Sequence, residues 1–199
     1  MRLFTLIIPT AFILVGCSPT VTPPISEYTI YPSTKTIKPA TTLSAKTLRM
    51  SRTKTIPSLS SKNLIYLRTS GESGSYLYTQ WSDSPSLLIE RSLSHKLQSE
   101  AIFSTLIPPA SSAHADWILE SDLHAFYHRF ESGQKSKGIL DITYYLIDAK
   151  TKLPIENKRF FITKNAPTED ASGGVSALVE ATEELNNQCS QWLKEKVKQ

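Results

Sequence analysis

Apolar and polar side chains alternate with a period of two from Trp117 to Phe130. Trp117, Leu119, Leu123, Ala125 and Tyr127 fall on one face, and Glu120, Asp122, His124 and His128 on the other. A polar loop, Glu131 to Gly138, separates this strand from Ile139–Asp148, which sets Leu140, Ile142, Tyr144 and Leu146 on its buried side. Ala149 to Pro154 turns the chain, and Ile155 to Thr163 makes a third strand. Short polar connections join all three, so the pattern predicts an antiparallel meander. A hairpin is predicted upstream: Leu64-Ile65-Tyr66-Leu67 and Tyr76-Leu77-Tyr78 flank the turn Gly71-Glu72-Ser73-Gly74. Tyr28-Thr29-Ile30-Tyr31 and Phe103–Ile107 read as further short strands.

Elsewhere the period lengthens. Ile89, Leu93 and Leu97 recur every fourth residue behind Asp83, Ser84 and Pro85, which suit a cap and first helical position. That predicts a helix over about 84–100. Val175, Leu178, Val179, Thr182, Leu185, Cys189, Trp192 and Leu193 form the stripe of a second helix over about 169–196. Glu169 and Asp170 near its start and Lys194, Lys196 and Lys198 near its end suit the helix dipole. The expected fold class is α+β: an antiparallel sheet, made of the hairpin plus the three-stranded meander, packed against two main helices.

The first residues belong to a different pattern. Arg2 precedes an apolar run from Leu3 to Val15, broken only by Thr5, Pro9 and Thr10. Charged start, apolar core and small residues before a cut are the parts of a secretory signal. The run is shorter than the ~20 apolar residues a membrane-crossing helix needs. Leu14-Val15-Gly16-Cys17 resembles the bacterial lipobox, in which cleavage between Gly16 and Cys17 follows attachment of diacylglycerol to the cysteine thiol. Two or three acyl chains, including an N-acyl chain such as palmitate, would make a stable anchor where one binds only marginally. Ser18, where an Asp is the usual inner-membrane retention signal, favours the outer membrane. The alternative is a buried N-terminal strand or an ordinary signal with a chance cysteine. The domains expected are a signal peptide, 1–16, a lipidated Pro/Ser/Thr-rich tether, 17–27, and a single periplasmic domain, 28–199.

Charge changes this picture little. The chain is 40% hydrophobic and 20% charged with a formal net charge of +4, too mild to argue for nucleic acid. Lys35, Lys38, Lys46, Arg49, Arg52, Lys54, Lys62 and Arg68 are unbroken by Asp or Glu. They read as solvated loops and strand edges, or as a patch resting on anionic headgroups or an acidic partner. With Cys17 lipidated, Cys189 has no disulfide partner and belongs to the helix stripe as a small hydrophobe.

Candidate chemistry is sparse. His124 and His128, four apart on a strand, would lie roughly 13 Å apart at ~3.3 Å per residue and both face solvent, so they hold no metal. Gly133-Gln134-Lys135-Ser136 lacks the phosphate-loop spacing. No nucleophile elbow or C-x-x-C occurs. The chain reads as no enzyme, without a cofactor other than the covalent lipid on Cys17. Tyr66, Tyr76, Tyr78 and Trp81 form an aromatic cluster, read either as core packing or as a surface for an apolar ligand or partner protein.

The order of these pieces resembles a known family. Lipobox, tether and Tyr28-Thr29-Ile30 come first, then Asn63-Leu64-Ile65-Tyr66-Leu67-Arg68. Tyr76-Leu77-Tyr78-Thr79-Gln80-Trp81-Ser82-Asp83-Ser84-Pro85 runs into the first helix, Ala115-Asp116-Trp117-Ile118-Leu119 opens the meander, and Trp192-Leu193 ends the last helix. Together they are similar to the ABC-type transport auxiliary lipoproteins, which accompany MCE (mammalian cell entry) and paraquat-inducible type lipid transport systems. The resemblance implies an α+β domain without catalysis, anchored in the outer membrane and facing the periplasm. It would act by contact with an MCE-type protein and an ABC permease and ATPase, with room for a homo-oligomer. Competing readings are a periplasmic lipid- or hydrophobe-binding lipoprotein and a lipoprotein regulator of cell-wall synthesis.

Overall fold

The computed structural model describes residues 23–31, 42–133 and 135–198. The lipobox, Cys17, Ser18, most of the tether, Lys35, Lys38 and Gln134 lie outside the described residues. The rest forms a nine-stranded mixed sheet with two long helices on one face.

The strand Trp117–Glu131, β7 in chain order, organises the sheet. Before it come β1 (Ser26–Tyr28), β2 (Ser44–Met50), β3 (Lys54–Thr55), β4 (Asn63–Leu67), β5 (Ser73–Trp81), the helix α1 (Pro85–Ser99) and β6 (Phe103–Ile107). After it come β8 (Lys135–Asp148), β9 (Pro154–Asn165) and the helix α2 (Ala171–Val197). On one edge β7 pairs antiparallel with β8, and β8 with β9, as the alternating pattern predicts. The hairpin β4–β5 also forms where predicted. β1 starts at Ser26, two residues inside the stretch assigned to the tether, and Ile30 just beyond it is buried.

The expectation of an antiparallel sheet is corrected. On its other edge β7 receives three short strands in succession, all parallel: β2 opposite Trp117–Leu119, β3 opposite Asp122–Leu123 and β4 opposite His128–Arg129. β6 adds to β2 and β1 to β5, again parallel. Parallel neighbours need a long crossover, and here β5, α1 and β6 intervene between the first strands and β7.

Local chemistry explains the helices. Ser84, extended, precedes Pro85 at the first turn of α1, and Leu88, Ile89, Leu93 and Leu97 are buried against the sheet. Asp170 caps α2 by accepting from the Gly173 N–H at 2.9 Å, while Lys194 and Lys196 sit in its last turn. Its 27 residues span about 40 Å at ~1.5 Å each, enough to cross β7, β8 and β9. Lys164 of β9 reaches Glu180 at 3.1 Å and Glu184 at 2.6 Å, and the Trp192 indole donates to Glu156 at 3.0 Å. Leu64, Trp81, Ile89, Leu119, Leu140, Leu178, Cys189 and Leu193 belong to one continuous core. Burial pushes the Cys189 thiol pKa up, keeping it protonated. The two helices also touch: Asn186 donates to Ser92 Oγ at 2.7 Å, and Lys194 meets Glu100 at 3.1 Å.

Every described residue of the basic stretch has a partner within the chain. The Lys46 ammonium sits 4.0 Å over the Trp117 ring, and Arg49 donates to the Ala113 carbonyl. Arg52 pairs with Glu90 at 3.7 Å, Lys54 with Glu120 at 3.8 Å, Lys62 with Glu27 at 3.7 Å and Arg68 with Glu72 at 3.7 Å. The last three pairs are exposed and contribute little stability each, and four of these six cations face a carboxylate of the chain itself.

Candidate functional site

The aromatic residues singled out above do not assemble as one surface. Trp81 is 0% exposed and packs on Phe126 with ring centroids 5.4 Å apart, inside the core. Tyr78 stays 44% exposed. Tyr66 and Tyr76 do meet, edge to face at 5.3 Å, across the hairpin. Two residues complete their cluster: Phe130, 6.1 Å from Tyr66, and His128, stacked on Tyr76 at 6.2 Å and 4.6 Å from Phe130. The Arg68 guanidinium lies over both Tyr66 and Phe130, at 5.4 and 5.2 Å.

His128 is the residue that the period-two pattern misplaces. The ladder between β7 and β8 slips between Leu123 and Ala125, so that His124 is the extra, bulged residue. Beyond the bulge the faces exchange. Phe126 and His128 turn inward, Tyr127 turns outward to a half-buried position, and His128 becomes 0% exposed rather than solvent-facing. His124 remains exposed and bonds Thr143 Oγ1 at 3.0 Å. A glycine makes room for the buried ring: a Cβ at Gly174, in the first turn of α2, would lie 2.6 Å from His128 Nδ1. The paired glycines Gly173-Gly174 were the available signal, since a helix start that tolerates them needs a close neighbour.

Tyr76 Oη and His128 Nδ1 share a hydrogen bond of 2.8 Å, while Nε2 is buried without a partner. Burial, aided by the Asp170 carboxylate, pushes the Tyr76 phenol up to about 12. Burial also lowers the His128 pKa against the opposing pull of Asp170. Both groups are thus held neutral, and the cluster locks β4, β5, β7 and the start of α2 together. The folded protein therefore binds a proton at His128 less readily than the unfolded chain does. Its stabilising contribution is complete above the ordinary imidazole pKa of ~6.5 and is lost as pH falls below it. Thermal melts of His128→Phe are expected to start from a lower Tm at neutral pH. Between about pH 7 and pH 5 they should then lose less than the wild type does, before the carboxylates titrate. Parallel declines would remove His128 from the acid response.

Among the described residues no group of three or more His, Cys, Asp or Glu side chains is placed to hold a metal ion. No described helix is long and apolar enough to cross a membrane. Two clefts open on α1. One, of ≈ 260 Å³, lies between the helices and is lined by Ile30, Ser92, Lys96, Glu183 and Asn186. The other, of ≈ 300 Å³, lies between α1 and the end of β6.

A family model described as the ABC-type transport auxiliary lipoprotein component matches residues 28–190, most of the chain. The chain belongs to this family. The matched span runs from the last residue of β1 into the last turns of α2, so it takes in β2 to β9 entire. No curated protein matches the sequence. Among solved structures, a Xanthomonas campestris protein is similar with a TM-score of 0.75 at 14% identity, over 84% of this chain and 93% of its own. A Chlamydia trachomatis protein is similar with a TM-score of 0.56 at 8% identity, over 76% of this chain and 97% of its own. At such identities these likenesses show a shared fold. As the resemblance implied, the chain is an ABC-type transport auxiliary lipoprotein.

Proposed function

We propose that this lipoprotein is an accessory of an intermembrane lipid transport machine of the ABC/MCE type. Acyl chains on Cys17 hold it at the periplasmic face of the outer membrane, residues 17 to about 25 serve as the tether, and the folded domain works by contact with the transporter. The observation that carries this reading is the family match over residues 28–190. Leu14-Val15-Gly16-Cys17 followed by Ser18 supports the anchor and its sorting. The competing carrier function calls for a cavity that encloses an acyl chain. The two clefts on α1 measure ≈ 260 and ≈ 300 Å³. That sits at or below the bottom of the ~300–1,000 Å³ range of pockets that engulf drug-sized ligands.

The test is twofold. Crosslinked membranes should yield an MCE-type protein or its ABC permease together with this chain, and deleting the chain should weaken the outer-membrane lipid barrier. Recovery of neither transporter component, with an intact barrier after deletion, would sink the reading.

A further inference from the structure

From Asn63 to Ile65 β4 advances two positions, while its partner β5 runs back five, from Gln80 to Ser75. β5 therefore carries three residues in excess, and Tyr76 to Thr79 leave the β4 ladder as a bulge. Tyr76 turns in to His128, but Leu77 is 81% and Tyr78 44% exposed. Ile25, 59% exposed, directly precedes Ser26, whose partner in β5 is Thr79, so the register brings it beside Tyr78.

This apolar projection is ill suited to an incoming strand. The bulge breaks the regular spacing of the outer edge of β5, and Pro23-Pro24 ahead of Ile25 have no N–H to donate. It is equally ill suited to a charged partner. β5 holds no charged residue in its nine positions, and the ions that flank it answer one another: Glu27 meets Lys62 at 3.7 Å, and Arg68 meets Glu72 at 3.7 Å. A neutral apolar projection with a phenol at its rim matches the boundary between headgroups and acyl chains, where the ring and the hydroxyl of a tyrosine both find their medium.

The chain ahead of the patch points to the same occupant. Cys17 stands eight residues before Ile25, a reach of at most about 29 Å at ~3.3–3.6 Å per residue. Acyl chains on Cys17 therefore keep the patch close to a bilayer, whereas Phe161, exposed on β9, lies five ladder steps away from β1. We propose that Ile25, Leu77 and Tyr78 rest in the bilayer to which Cys17 is anchored, with Leu77 below the headgroups and the Tyr78 hydroxyl among them. Three side chains bind a membrane weakly by themselves, and the anchor supplies the effective concentration that fills the contact. The domain is thereby oriented, with β1 and β5 toward the membrane and β9 turned away from it. This inference rests on the anchoring through Cys17 proposed above.

The direct test reconstitutes the full mature chain, acylated on Cys17, on vesicles of phosphatidylethanolamine and phosphatidylglycerol whose acyl chains carry bromine. Trp81, Trp117 and Trp192 are buried, so an added indole reports its own depth against the unsubstituted chain. Leu77→Trp should lose emission to the brominated lipid, and Phe161→Trp should not. Tyr78→Asp, which sets a charge in the patch, should weaken the loss at position 77. Flotation with the vesicles but no quenching at position 77, equal quenching at 77 and 161, or quenching indifferent to Tyr78→Asp overturns the patch and leaves the anchor standing. Failure of the acylated chain to float overturns both.

In cells, a photoreactive residue at position 77 should crosslink to phospholipid. A crosslink to a transporter component without lipid overturns the membrane contact and leaves the transport role standing. A crosslink to a second copy of the chain without lipid also overturns the membrane contact.

Discussion

Replacing Gly138 with valine is expected to cost more stability than any other single change named here. Gly138 lies in β8 directly beneath α2, where an added Cβ would stand 2.8 Å from the Ala177 carbonyl carbon and 2.9 Å from the Leu178 nitrogen. These are backbone atoms in the middle of a helix, and no rotamer change moves them. The helix must lift, which loosens Val175, Leu178 and Leu185, all buried in the core. Overpacked sites typically lose about 1–3 kcal/mol, occasionally more, and a clash with helix backbone belongs at or beyond the upper end. At ~2–4 °C per kcal/mol for a domain of this size, the melting midpoint should fall by about 10 °C. Circular dichroism during heating measures it. A shift within a degree or two would mean that α2 does not sit as closely as described.

The second large effect concerns location rather than stability. Cys17→Ala, made in a chain whose residues 1–16 are replaced by an ordinary cleavable signal peptide so that processing no longer waits on the thiol, is expected to move the protein from the membrane fraction to the soluble periplasmic fraction and to remove the mass of its acyl chains. Each buried methylene contributes about 0.8 kcal/mol, so loss of two or three chains leaves nothing that holds the domain at a bilayer. The folded part should survive, because the described domain is held by its own sheet and helices. Membrane retention of the variant would refute anchoring through Cys17. Loss of the circular dichroism signal of the soluble domain would refute the separation of anchor and core.

How far the residues alone could be read depended on the range of the interactions involved. The β7–β8–β9 meander, the β4–β5 hairpin and both helices were legible because turns and periodicities are local. Gly71 to Gly74, Pro85 and the stripe Ile89, Leu93, Leu97 each act within a few residues. The parallel pairings were not legible. Leu48 meets Trp117 and Tyr66 meets His128 across distances in sequence that no turn chemistry marks. The aromatic cluster was half visible: Tyr66 and Tyr76 do meet. But a single bulged residue, His124, reverses the faces behind it and brings in His128, whose room is made by Gly174 on the last helix. Of the two readings left open for Trp81, core packing is the one the structure shows, since a strand can end in the core as readily as at a surface.

The order in which the chain is made has a consequence for its folding. β3 has no ladder to join until β7 exists, and β2 and β4, which can pair earlier with β6 and β5, gain their second neighbour only then, some seventy residues later for Leu48 and Trp117 and about sixty for Tyr66 and His128. Contacts this distant carry a large loop-closure cost before they repay it, and folding slows as their share rises. The leading half of the protein therefore waits with its sheet incomplete, with Leu48, Met50 and Leu64 not fully covered until the meander closes over them. Its vulnerable interval is the wait for β7, and a chaperone that shelters short apolar strands during that wait would raise the yield of folded protein more than one that acts on the finished domain.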